Sequence, residues 1–98
     1  MSIEIIGAEA EAQLDWIALA DALEAGHLLP RAEVGDTLLY RGADTLLTRS
    51  AWIDGMGLAV KAATIFPGNA ADGLATVNGS MTLYDDGSGQ AEALVDFH

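Results

Sequence analysis

The cleanest alternation in the chain is "ATVNGSMTLY", Ala75 to Tyr84. Ala75, Val77, Gly79, Met81 and Leu83 fall on one side of a period of two. Thr76, Asn78, Ser80, Thr82 and Tyr84 fall on the other, as in a strand with one covered face. "GLAVKAATIF" (Gly57 to Phe66) and "AEALVDF" (Ala91 to Phe97) read as two further strands, bounded by the turn segments "PGNAADG" and "DDGSG". "DTLLYRGADTLLTR" (Asp36 to Arg49) nearly repeats itself about Gly42-Ala43. Glycine at the first central position suits a type II′ hairpin. A two-residue loop there sets Arg41 opposite Asp44 and Asp36 opposite Arg49.

The first third has a different texture. Ile3 to Ile6 is a short apolar run, expected as an edge strand, and "AEAEAQL" (Ala8 to Leu14) is strongly helical in propensity. Asp15 is a good N-cap for a helix over 16–25, whose Trp16, Leu19, Ala20 and Leu23 recur at helical spacing and are expected to face the core. Gly26 and Pro30 mark its end, and His27 reads as a cation near the helix C-terminus. Helices followed by a meander of strands predict an α+β fold. The expectation is a single domain over residues 1–98, mainly helical over 1–30 and a β-meander over 36–98. Its helices are expected to pack on a mostly antiparallel or mixed sheet.

Composition adds two constraints. Of the 98 residues, 51% are hydrophobic and only 6% aromatic, so the core must come from aliphatic side chains and alanine. That is apolar for so short a chain, and a homodimer or higher homo-oligomer is expected to cover part of the surface. The net charge of −11 argues against nucleic acid or an anionic membrane as partner. The four bases, Arg31, Arg41, Arg49 and Lys61, nevertheless cluster in the middle of the chain, where they can form a local anion site.

Other chemistry is set aside. Cysteine is absent, which excludes disulfides and thiolate sites. No apolar run approaches a membrane span, and the start lacks a secretory pattern, so a cytoplasmic protein is expected. "GNAADG" lacks the Lys-Ser/Thr of a phosphate loop, and "GMG" (Gly55 to Gly57) lacks the third glycine of a dinucleotide fingerprint. Asn78-Gly79-Ser80 is a glycosylation acceptor pattern inside a predicted strand, and "DDGSGQAE" lacks calcium-loop spacing. Neither His27 nor His98 has a partner at metal-ligand spacing, so no metal is expected.

Lys61 remains. It is the chain's one lysine, and it shares a strand face with Ala59, Ala63 and Ile65. Two readings stand at this level. One is an edge-strand lysine that reaches to solvent or discourages edge pairing. The other is a ligand-facing cation able to hold a carboxylate or polarise a carbonyl or imine.

"GLAVKAATIFPGN" (Gly57 to Asn69), "GLATVNGSMTLYDDGSGQAEALVDFH" (Gly73 to His98) and, less closely, "SAWIDGMG" (Ser50 to Gly57) resemble the ornithine cyclodeaminase/mu-crystallin family. The resemblance implies the substrate-binding and dimerisation part of an NAD- or NADP-dependent enzyme acting on small anionic amino or imino acids. It sets Lys61 on the family's substrate-contacting, catalytic lysine. The family's carboxylate-gripping arginine falls near Asp36 when the hairpins are matched. Arg41 or Arg31 then stands in, ahead of Arg49, and the polar face of Thr76, Asn78, Ser80 and Thr82 is expected to line the site or the dimer seam. The family's Rossmann domain and its GxGxxG are absent from these residues. The 98-residue chain is therefore expected to bind no cofactor and to be inactive by itself, as a truncated portion. The alternative is a standalone self-associating or small-ligand-binding module without catalysis.

Overall fold

A computed structural model describes residues 3–97. Five strands run as an antiparallel meander: β2 (Glu33–Arg41), β3 (Asp44–Ile53), β4 (Gly57–Ile65), β5 (Val77–Tyr84) and β6 (Ala91–Phe97). The N-terminal β1 (Glu4–Ile6) adds to β6 in parallel, so the order across the sheet is β1-β6-β5-β4-β3-β2. The fold is therefore α+β with a mixed sheet. The connection from β1 to β2 spans the two outer edges and builds no βαβ unit with a neighbouring strand.

Turn chemistry sets the register. Gly42 has φ +60, and the hairpin places Arg41 against Asp44 and Asp36 against Arg49, as its sequence predicts. The β3–β4 turn uses Gly55 (φ +86) and Gly57 (φ +147), and a Cβ at Gly57 would stand 2.9 Å from the Tyr84 carbonyl oxygen. Asp86, in the β5–β6 turn, reaches across to that turn. It accepts from the Trp52 indole (2.8 Å) and the Gly55 amide (3.1 Å). Asp85 closes its own turn by accepting from the Ser88 hydroxyl and amide, each at 2.8 Å, and these bonds hold its carboxyl below the usual range.

The N-terminal third differs from its sequence expectation. Ala8–Gln13 is a 3-10 helix, not an α-helix. The segment is too short to nucleate α-helix on propensity alone. The following helix, α1 (Trp16–His27), is N-capped as expected, with Asp15 accepting from the amides of Ile17 and Ala18. It runs past Gly26, which lies inside the last turn rather than acting as a stop. A Cβ at Gly26 would meet Met56 at 3.0 Å, so the glycine lets the β3–β4 turn approach. His27 Nδ1 donates to the Leu23 carbonyl (2.6 Å). The expected inward face of α1 is largely open. Trp16 is 64% and Leu23 58% exposed.

Few side chains are fully covered. Ala63 and Ala93 are the buried hydrophobic residues among those described. Every residue of β2 is exposed, and this strand forms a bare sheet edge carrying Val34, Leu38, Leu39 and Tyr40. No helix among the described residues is long and apolar enough to cross a membrane.

Candidate functional site

Register places Lys61 in a row that crosses the whole sheet: Asp36, Arg49, Lys61, Met81, Val95 and Ile6. Its strand, β4, is flanked by β3 and β5, so the edge-strand reading of this lysine does not hold. The antiparallel partners of β4 on both sides also mean that no pairing remains for the lysine to discourage. Lys61 is half-buried, and among the described residues it makes no ion pair.

The neighbours on its face are small or apolar. Alternation puts Leu38, Leu47, Ala63 and Gly79 in the next row on one side, and Val34, Ala51, Ala59 and Leu83 on the other. Alanine and glycine beside the lysine keep the surface low around its ammonium. Gly79 has a packing reason as well. A Cβ there would run into the Phe97 ring and stand 3.2 Å from the Ala62 carbonyl oxygen.

Arg49 is the cation directly across from Lys61. Its guanidinium grips Asp36 with two parallel bonds, Nε to Oδ1 at 2.6 Å and Nη2 to Oδ2 at 2.7 Å. The hydrogen bond from Arg49 holds the Asp36 carboxyl below its ordinary range, and the charges of Arg49 and Lys61 act in the same direction. Asp36 in turn raises the Arg49 pKa, chiefly through the same bond. One acid and two bases thus meet in a single row, an arrangement suited to receiving one further negative charge.

The other sequence candidates are not brought to this row. Arg41 lies on the opposite face at the hairpin tip, 3.4 Å from Asp44 and 5.9 Å from the centre of the Phe66 ring. Asn78 also faces away from Lys61, and its carboxamide donates to the Ala75 carbonyl (3.2 Å), which Asn69 shares (3.0 Å). Thr76 precedes β5, and its carbonyl accepts from the Phe66 amide (2.8 Å). Arg31 lines an apolar cleft of about 600 Å³ between α1 and the β3–β4 turn, with Leu19, Leu29, Ile53 and Met56. A second cleft of about 540 Å³ lies near Trp52 and Tyr84, and Lys61 lines neither.

Arg49, placed behind Arg41 and Arg31 on sequence, is the arginine that the fold sets across from Lys61. The signal was available: a short β3–β4 turn through Asp54, Gly55 and Met56 sets Arg49 opposite Lys61. His98, set aside as a metal ligand on spacing, lies outside the described residues. Among the described residues no group of three or more His, Asp or Glu side chains is placed to hold a metal.

A nicotinamide dinucleotide does not fit the residues present. "GNAADG" is taken up by a 3-10 helix over Pro67–Asp72 that ends at Gly73, and "GMG" is the turn into β4. Neither opens an α-helix whose N-terminus could receive a pyrophosphate.

No family model matches the chain. A curated relative, Δ1-pyrroline-2-carboxylate reductase of Paracoccus denitrificans (strain Pd 1222), is 43% identical over 88 residues. The match covers 90% of this chain and 28% of that protein. The chain thus spans little more than a quarter of the curated relative it matches. Among solved structures, an archaeal alanine dehydrogenase dimer with bound NAD superposes with a TM-score of 0.80 at 25% identity, over 98% of this chain and 31% of that one. Thermococcus litoralis Δ1-pyrroline-2-carboxylate reductase, in complex with NADH and L-proline, shares the fold. Its TM-score is 0.79 at 22% identity, over 96% of this chain and 32% of that one.

Proposed function

We propose that the chain corresponds to a segment of the ornithine cyclodeaminase/mu-crystallin family and is the substrate-binding part of a nicotinamide-dependent amino or imino acid oxidoreductase. The carrying observation is the placement of its one lysine. Lys61 is half-buried on a central strand, has no partner among the described residues, and lies across from Arg49 on an otherwise apolar face.

In this reading the Lys61 ammonium donates to the carboxylate or the carbonyl or imine end of a small acid. Arg49 offers the hydrogens that Asp36 leaves free. A dinucleotide does not fit these residues, so no hydride step is assigned to them. The open β2 edge and the uncovered face of α1 support a second role, self-association through a dimer or higher homo-oligomer.

The test uses the single lysine as its own reporter. The 98-residue chain is titrated with pyrrole-2-carboxylate, a planar five-ring monocarboxylate, while the Lys61 ε-methylene signal is followed by NMR. A saturable shift that Lys61→Met abolishes is expected. No shift up to high millimolar ligand would sink the reading. Tight, saturable binding of NADH to the 98 residues, measured calorimetrically, would also count against it.

A second reading rests on the exposed apolar surface: a standalone self-associating or small-ligand-binding module without catalysis. It requires a stable oligomer by light scattering together with an unmoved Lys61 signal.

A further inference from the structure

The chain has four bases, and the fold leaves very little cationic capacity in the Lys61 row. Asp36 occupies the Nε hydrogen and one Nη2 hydrogen of Arg49, leaving three of its five N–H groups on the outer edge. The formal charge of Asp36, Arg49 and Lys61 together is +1. One ligand carboxylate brings this row to neutrality. Neither remaining base lies in this row. Arg41 is on the other face with Asp44 and Phe66, and Arg31 sits at the cleft beside α1. The rows on both sides of Lys61 consist of leucine, valine, alanine and glycine from β2 to β5, with Phe97 beyond Gly79 on β6. Apart from the trio, Glu4 on the distal strand is the one charged strand residue of this face, and it repels anions too.

We propose that Asp36 is a specificity-determining residue: by offsetting one of the two cations in the row, it admits acids with one carboxylate and an apolar body and turns dicarboxylates away. The proposal rests on the reading that the Lys61 row binds a substrate carboxylate. It adds the class of acid and names the residue that sets it.

The experiment compares pyrrole-2-carboxylate with pyrrole-2,5-dicarboxylate on the 98-residue chain at about 0.1 M ionic strength, reading dissociation constants from the Lys61 ε-methylene shift. The wild type is expected to favour the monocarboxylate. In Asp36→Asn that preference should fall by about fivefold, the size of one charge interaction at about 4 Å in solvent. Asp36→Glu should restore it. The chain is strongly acidic throughout, so Asp21→Asn on α1 serves as the control for net charge and should leave the ratio within about twofold, since its charge is screened over the intervening distance. If Asp36→Asn does not fold, Asp36→Thr, with a better strand former, reads the same ratio.

An unchanged ratio in a folded Asp36 variant that still binds the monocarboxylate would overturn the proposal while leaving the Lys61 reading standing. An equal change in Asp21→Asn would also overturn it, by reducing the effect to net charge. Failure of the monocarboxylate to move Lys61 in the wild type would overturn both.

Discussion

Arg41–Asp44 and Arg49–Asp36 belong to one hairpin, and each sets an arginine directly across from an aspartate. At the tip, Arg41 touches Asp44 through a single contact of 3.4 Å, with 83% of the arginine side chain exposed. Five residues further along each strand, on the opposite face, Arg49 holds Asp36 through two bonds of 2.6 and 2.7 Å, and the neighbouring strand presents Lys61. The tip pair has the Phe66 ring, Leu39 and Leu46 around it and no second cation. The inner pair belongs to a continuous face, where a ligand charge can be shared between two cations. Cross-strand pairing alone therefore says little about function, and what lies one strand further decides it.

The largest effect is expected where the inner row rests on small residues. Gly79→Val should drive a side chain into Phe97 and destabilise the chain by about 2 kcal/mol or more by chemical denaturation. Wild-type stability would mean that β6 yields easily and that the packed face around Lys61 is not fixed. The next test separates the two regions by binding. Lys61→Met should weaken pyrrole-2-carboxylate by more than about tenfold, the scale of one charge-assisted hydrogen bond, whereas Arg41→Met should change it less than about twofold. Comparable losses would erase the functional distinction between hairpin tip and mid-strand.

A subtler difference concerns acid titration. The folded-state Asp36 carboxyl is depressed, so the stabilisation it lends is fully present above the ordinary aspartate pKa of about 3.9 and is lost as pH falls through its lower folded value. In Arg49→Gln the Asp36 Cγ titration should move up toward the ordinary range, and Arg41→Met should leave it in place. A midpoint indifferent to Arg49 would mean that the inner pair does not persist in solution. The smallest effect belongs to the tip itself. Arg41→Met should shift the melting temperature by less than about 4 °C, as for most exposed ion pairs.

Much of this was legible in the residues. Gly42-Ala43 specifies its hairpin, and a two-residue loop there is enough to pair Asp36 with Arg49. The Asp15 cap and the strand pattern of Ala75 to Tyr84 rest on equally local chemistry. Local signals failed where a distant segment intervened. Gly26 looked like a helix stop, yet it is the approach point of Met56, thirty positions on in the chain. Trp16 and Leu23 have helical spacing and still lie open, because periodicity names a face without saying what covers it.

The composition and turn residues by themselves determined a chain of six strands with a capped helix, the pairing within its hairpin, and a short supply of positive charge. Which strand is central was decided only in three dimensions. Sheet order follows from how several turns and the parallel addition of β1 combine, and no single segment encodes it. That order moved Lys61 from a candidate edge to the middle of the sheet and brought Arg49 beside it. It also left Arg41, Asn78 and Thr76 elsewhere, because a side-chain period of two sends neighbours in sequence to opposite faces.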